Sequence, residues 1–451
     1  MNDGWLKRSV VLRMIIVGAL TFALLIPSLM VMGLISERES AKNSATYEVN
    51  EKWGQSQTIA GPILVIPYRA YIPQPKAETR VVIDRAFLLP ESLSITTTAS
   101  PDIRYRSIYE IVVYGAKLSM SGRFALNSLS TLHINPADML WDEATLLIGI
   151  SDLKGIRENV QVRWDGKTYQ AEPGISGTDV VSSGISIKPA VAAGKSEYTF
   201  SADVSFNGSG DLLFVPAGKE TIVRVASSWQ SPSFVGRFLP DARTIGSDGF
   251  TADWKVLHLN RNFPQQWTTN NALREQQPGY EQQKSPDLMS FGFGVKLLQP
   301  VDEYQKAMRS AKYAIMFIAL TFLTFFLTEV LNKKIVHPIQ YALIGLGLIL
   351  FYTLLLSLAE HIPFNSAYWV SGIAVVLLIA GYARAVLSSN RVGILIAAVL
   401  LLLYGFLFVI LQQEDYALLF GSIGLFGILS VVMYLTRKID WFAIGKSESA
   451  T

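Results

Sequence analysis

Catalysis needs acids, bases, nucleophiles or metal ligands brought close together, so the four histidines are weighed first. They are His133, His258, His337 and His361. None belongs to an H-E-x-x-H run, and no two are spaced i,i+4 to hold a metal on one helix face. Cysteine is absent, which removes disulfides, thiolate nucleophiles and thiolate metal sites. No Walker A loop, nucleophile elbow or dinucleotide fingerprint occurs, so neither a cofactor nor enzymatic activity is expected. A hydrolase would have to gather residues such as Asp152, Asp211 and His258 into one cleft.

Three polar residues beside apolar runs are the candidate functional positions: Glu329, Glu360 and His361. Glu329 has Lys333 four residues on, the spacing of an ion pair along one helix face. That pair reads first as a headgroup-zone ion pair, and alternatively as a proton or substrate site if Glu329 faces a helical interior. Glu360-His361 reads as a solvated loop cap, or as a pH-sensitive contact with the β-rich part of the chain, since histidine titrates near neutrality. Thr321, Thr324 and Thr328 are expected to bond back to their own helix. Gly421, Gly424 and Gly427 form a small-residue stripe suited to helix packing.

The elements that position these residues follow from hydropathy. Half of the 451 residues are hydrophobic and 17% are charged, below the roughly 25% of soluble domains. A helix needs about 20 mostly apolar residues to cross a bilayer, and six stretches have that length. They are Met14–Ile35, Tyr313–Val330, Ile339–Leu358, Ala367–Ala383, Val392–Leu411 and Tyr416–Leu435. The first is too long for a signal-peptide core and lacks a cleavage site, so it is read as a signal anchor.

Basic residues set the direction. With the N-terminus cytoplasmic, Lys333, Lys334, Arg384, Arg391, Arg437, Lys438 and Lys446 all fall on the inner side. The short outer loops 359–366 and 412–415 carry Glu360, Glu414 and Asp415 and no cation, which is the positive-inside pattern. None of the six stretches carries a charge at its centre, so ion-coupled transport lacks its usual signature. The net charge of +3 and the lack of basic runs give no reason to expect nucleic acid.

Between the first two stretches the pattern changes to period two. Tyr198, Phe200, Ala202, Val204 and Phe206 alternate with polar residues, as in a half-buried strand. Val160–Trp164 and Lys167–Ala171 flank Asp165-Gly166, a type I′ hairpin signal. Further strands are predicted at Ile63–Tyr68, Val81–Leu88, Ile111–Ser121, Leu146–Ile150, Leu212–Val215, Thr221–Val225 and Phe291–Leu297. Asn207-Gly208-Ser209 reads as a hairpin turn rather than a glycosylation site. Helices are expected over Ser36–Lys52, prolonging the first span, and from an Asp302 cap through Ala311. Asn260–Asp287, rich in Gln and Asn, is predicted to be a long loop.

The fold class is therefore an α+β membrane protein, with six transmembrane helices and a large β-sandwich-like domain. Its parts are a cytoplasmic N-terminus and anchor (1–35), a β-rich domain outside the cytosol (36–310), a five-helix bundle (311–436) and a cytoplasmic tail (437–451).

Short motifs in order along the chain resemble the CreD family of bacterial inner-membrane proteins. They include Gly61-Pro62, Leu89-Pro90-Glu91-Ser92-Leu93, Gly208-Ser209-Gly210-Asp211-Leu212 and the run Ser231 to Pro240. In the apolar half they include Lys312-Tyr313-Ala314-Ile315, His337-Pro338-Ile339-Gln340-Tyr341, Ala359-Glu360-His361 and Thr436 to Trp441. The resemblance implies an inner-membrane protein with a periplasmic domain, expressed under a two-component system and linked to envelope integrity and stress. It transfers no catalytic residue. A non-enzymatic envelope protein is therefore expected, whose β domain binds a periplasmic protein, peptidoglycan or lipid partner alongside its membrane lipids. The alternative is a transporter or lipid-handling protein with a polar cavity faced by Glu329 or the Gly421 stripe.

Overall fold

The computed structural model describes residues 10–72, 79–175, 180–269, 288–297, 303–332, 336–412 and 417–437. Lys333, the Asp302 cap, Glu414, Asp415 and most of the Asn260–Asp287 segment lie outside the described residues. The chain divides into a helical unit (Met1–Asn43 with Val301–Thr451) and a β unit (Ser44–Pro300).

The helical unit begins with α1 (Val10–Ala23) and α2 (Leu25–Trp53). Pro27 causes the break between them, because its ring displaces the carbonyl of residue 23; Leu24 N–H still bonds the Leu20 carbonyl at 3.0 Å. The helix over Ser36–Lys52 is present as the continuation of α2. After the β unit come α3 (Glu303–Lys312), α4 (Ala314–Asn332), α5 (Pro338–Ala359), α6 (Phe364–Leu387), α7 (Asn390–Gln412) and α8 (Ala417–Thr436).

Among the described residues, four helical stretches are long and apolar enough to cross a membrane: Leu12–Trp53, α5, α6 and α7. A fifth arises if α3 and α4 count as one, with a 42° bend between them. The apolar stretch of α8 runs Leu419–Tyr434 and is shorter. The six stretches read from hydropathy thus become four or five by this measure, the charged α3 being set at an angle to the apolar α4.

The β unit holds two sheets, with strands numbered in chain order. The nine-stranded sheet contains β1 (Gln57–Ile72), β2 (Arg80–Leu88), β5 (Thr145–Ile150), β8 (Glu172–Pro173), β9 (Gly184–Ile187), β11 (Asp211–Phe214), β13 (Pro232–Gly236), β16 (Gln266–Thr268) and β17 (Phe293–Leu297). Its main path is β13-β17-β11-β1-β5-β9-β8, with β2 on β1 and β16 on β2. The eight-stranded sheet contains β3 (Ser92–Arg106), β4 (Tyr109–Ala125), β6 (Gln161–Trp164), β7 (Lys167–Gln170), β10 (Glu197–Ser209), β12 (Glu220–Ser227), β14 (Ala242–Gly246) and β15 (Gly249–Leu257). Its order is β14-β15-β12-β3-β4-β10-β6-β7.

Pairing is antiparallel except β1 with β11 and β3 with β12. One apolar core joins the two sheets. Trp254 of β15 lies 5.8 Å from Phe293 of β17 and 5.9 Å from Phe234 of β13, which fixes the sheets face to face. The period-two pattern is thus that of a two-layer sandwich, with β10, β12 and β15 burying alternate side chains.

The Asp165-Gly166 hairpin is present: both residues have positive φ (51° and 81°), as a type I′ turn requires. Asn207-Gly208-Ser209 departs from expectation. All three residues stay in β10, paired in turn with Gly115, Tyr114 and Val113 of β4. The turn falls one residue later, at Gly210 (φ +62°). Gly208 is needed where it stands, since any Cβ there would collide with the Tyr114 ring. Within Asn260–Asp287, residues 266–268 form a strand on β2 rather than loop.

The last turns of α2, from Ser44 on, belong to the β unit. Trp53 Nε1 donates to the Tyr114 carbonyl at 3.3 Å, and Arg104 lies 4.4 Å from the Trp53 ring centre. Arg106 reaches both carboxylate oxygens of Glu48, at 3.1 and 3.0 Å.

Candidate functional site

Glu329 stands near the C-terminal end of α4, with its side chain 1% exposed. A carboxylate so buried in an apolar bundle needs partners, and it has two. Arg13, in the first turn of α1, donates from Nη1 to Oε1 at 2.5 Å. Tyr341, in the first turn of α5, donates its hydroxyl to Oε2 at 2.9 Å. The Tyr341 ring is boxed edge-on by Phe322 and Phe325, with centroids at 5.4 and 6.3 Å. Arg13 keeps 22% exposure, and its Nε has no partner among the described residues.

Both Glu329 oxygens are therefore engaged by groups on two other helices. The partner foreseen from spacing, Lys333, lies outside the described residues; the partner seen here comes from 316 residues away. Tyr341 owes its place to a capped helix start, where His337 Nδ1 accepts from the Ile339 N–H and Gln340 Oε1 accepts from the His337 N–H. The start of α1, the end of α4 and the start of α5 thus meet at one end of the bundle.

A second ionic group marks the other end. Glu360, at the C-terminal cap of α5, accepts from the Tyr304 hydroxyl of α3 at 3.2 Å, and Arg38 Nε of α2 lies 3.8 Å away. His361 is exposed, its Nδ1 at 3.0 Å from the Ser357 carbonyl. Glu360 and His361 do not reach Glu329's partners, so the three candidate positions form two separate sites.

Thr324 and Thr328 bond back to Leu320 and Thr324, as expected, at 2.8 and 2.7 Å. Buried Thr321 departs from that expectation: its hydroxyl has no partner among the described residues. Between α4, α7 and α8 lies a cavity of about 680 Å³. Its lining is aliphatic apart from Phe406, Thr324 and Thr328. Gly424 and Gly427 line it; Gly421 and Glu329 do not. The polar cavity that a transporter would need is not what these residues form.

In the β unit, Asp152 Oδ2 accepts from the Gln55 N–H at 2.9 Å and Oδ1 from the Lys154 N–H at 3.1 Å. The Asp211 carbonyl accepts from the Tyr114 hydroxyl at 2.8 Å, and His258 opens a short helical turn. Asp211 Oδ1 is buried without a partner among the described residues. Two buried polar groups were not singled out from sequence. Burial, with Asp84 beside it, pushes the Tyr68 phenol up to about 12. Burial draws the Arg261 guanidinium down to about 10. Arg261 donates to the carbonyls of Phe263 (2.7 Å) and Ala217 (3.3 Å) and to Gln265 Oε1. No group of three or more His, Asp or Glu could hold a metal ion among the described residues.

A bundle of apolar helices with a buried ion pair, and a two-sheet β unit inserted in sequence after its first long helix, defines a membrane protein with a large β insert. The chain belongs to the CreD family: the model described as "Inner membrane protein CreD" matches residues 9–442. It is 31% identical over 424 residues to the Inner membrane protein CreD of Escherichia coli (strain K12), covering 93% of this chain and 91% of that one.

Proposed function

We propose that this chain is a non-enzymatic inner-membrane protein of the cell envelope, its β unit held in the periplasm to bind an envelope partner. That partner would be a protein, peptidoglycan or a lipid, and the role would be envelope integrity under stress. The observation that carries this reading is the separation of the two ionic groups. Arg13, Glu329 and Tyr341 gather three helix ends at one face. Arg38, Tyr304 and Glu360 gather α2, α3 and the end of α5 at the other. Both segments leading to the β unit, after Arg38 and before Tyr304, therefore leave by the same face. Arg384 near the end of α6, Arg391 at the start of α7 and Arg437 just past α8 lie at the opposite face, which supports a periplasmic β unit with both chain ends cytoplasmic.

Six crossings satisfy this arrangement, with α8 as the last. Photocrosslinking in living cells from exposed positions such as Thr96 and Ile245 tests the partner, paired with detergent and β-lactam challenge of a deletion strain. A specific adduct and a sensitised strain support the reading. No adduct together with an unaltered envelope overturns it.

A further inference from the structure

We propose that the cavity between α4, α7 and α8 is a binding site for one acyl chain of a phospholipid, in the leaflet on the Glu329 side. This rests on the reading that these helices lie in the bilayer.

The boundaries of the cavity place it. It is lined from Leu320 to Thr328 on α4, from Leu395 to Phe406 on α7, and from Gly424 to Val432 on α8. At 1.5 Å per residue these stretches are about 12 to 16 Å long, about half of a ~30 Å hydrocarbon core. On all three helices the lining is central, lying about the midpoints of Ala314–Asn332, Asn390–Gln412 and Ala417–Thr436. The furrow therefore has the length of about one leaflet and is centred near mid-membrane depth, where an acyl chain anchored at either surface ends.

Its chemistry selects the occupant. The only hydroxyls in the lining, Thr324 and Thr328, already donate to carbonyls of α4. A sugar, a peptide or an ion would leave its own polar groups unmet there. Hydrocarbon loses nothing. A chain in the furrow touches three helices, whereas a chain on the outer face of a helix touches one, so dispersion contacts favour the furrow. Its volume, about 680 Å³, falls within the roughly 300–1,000 Å³ of dedicated ligand sites. Arg391, at the start of α7, and Arg437, just past α8, stand at the Glu329 end of these helices and suit a lipid phosphate there, which selects the leaflet from which the acyl chain reaches the furrow.

The glycines of α8 give a matched pair of probes. Gly424 packs on Phe406, and any Cβ there would strike the ring. A Cβ at Gly427 meets nothing within 4 Å, so Gly427→Leu extends into the furrow without disturbing that contact. Gly421 is equally unobstructed but lies outside the lining, so Gly421→Leu is the control.

The full chain is reconstituted in vesicles of phosphatidylethanolamine and phosphatidylglycerol containing phosphatidylglycerol with a photoreactive acyl chain, and adducts are mapped by peptide mass spectrometry. Furrow peptides should exceed the lipid-facing positions Leu377 and Leu378 of α6 by about fivefold, equivalent to roughly 1 kcal/mol. Gly427→Leu should abolish that excess while leaving α6 labelling intact, and Gly421→Leu should leave both. Equal labelling of furrow and α6, or an excess that survives Gly427→Leu, overturns the site and leaves ordinary boundary lipid. Absence of acyl labelling on α6 as well would instead remove the bilayer placement on which the proposal rests.

Discussion

Arg13 and Glu329 are separated by 316 residues and joined at 2.5 Å, so the first helix of the chain is bonded to the last turns of α4 across the whole β unit. The link is a charge pair in a setting where either charge alone is expensive. It holds two helices whose sequences say nothing of one another.

Glu329→Ala should therefore lower the thermal stability of the detergent-solubilised chain by about 3–5 kcal/mol, because it leaves the Arg13 guanidinium without its carboxylate. The double variant Arg13→Met with Glu329→Met should recover most of that loss. A single variant as stable as the parent would show that the pair contributes nothing to the bundle.

Tyr341→Phe removes one neutral donor to Glu329 and leaves the ring in its Phe322–Phe325 box. The expected cost is smaller, about 1–3 kcal/mol. A double-mutant cycle with Glu329→Gln should show coupling between the two positions. Strict additivity would deny the hydrogen bond a role.

Arg261→Ala should destabilise the β unit by about 3 kcal/mol, since it strips donors from the Phe263 and Ala217 carbonyls and from Gln265. Arg261→Lys should restore only part, because an ammonium cannot span the same fork. Denaturant midpoints followed by tryptophan fluorescence measure both.

Tyr68 predicts an alkaline transition. Its phenol ionises near 12 when folded and near 10 when unfolded. Between those values the folded chain keeps a proton that the unfolded chain has lost. Its contribution is therefore intact below about pH 10 and declines as pH rises toward 12. Tyr68→Phe should lose less stability than the parent over that interval. Parallel decline in both proteins would assign the effect to other groups.

The lack of cysteine makes topology directly measurable. Thr96→Cys and Ser366→Cys should react with an impermeant maleimide added outside spheroplasts, and Asn390→Cys only after lysis. Labelling of Asn390→Cys before lysis would reverse or break the proposed threading.

Much of this architecture could be read in the chain because it is written as periodicity. The alternation at Tyr198–Phe206 and the Asp165-Gly166 turn are local signals, and each yielded the strand or hairpin expected of it. Asn207-Gly208-Ser209 was misjudged because small polar residues there are selected by packing: Gly208 clears the Tyr114 ring, and Asn207 Oδ1 accepts from Arg157 at 3.3 Å. The Glu329 partnership was invisible for another reason. Helical spacing finds neighbours on one helix, whereas Arg13 and Tyr341 come from two others. In sequence Arg13 is one cation just before the first apolar stretch, and Tyr341 is one residue of the His337–Tyr341 motif.

The parallel pairing of β1 with β11 sets an order of events during synthesis. β1 emerges early, yet its neighbour β11 is itself flanked by β17, which ends at Leu297. The nine-stranded sheet stays unfinished until nearly the last residue before α3 has left the ribosome. Through that interval an incomplete edge of apolar strand is open to passing chains, so closure of the sandwich must proceed faster than encounters with other unfolded polypeptides.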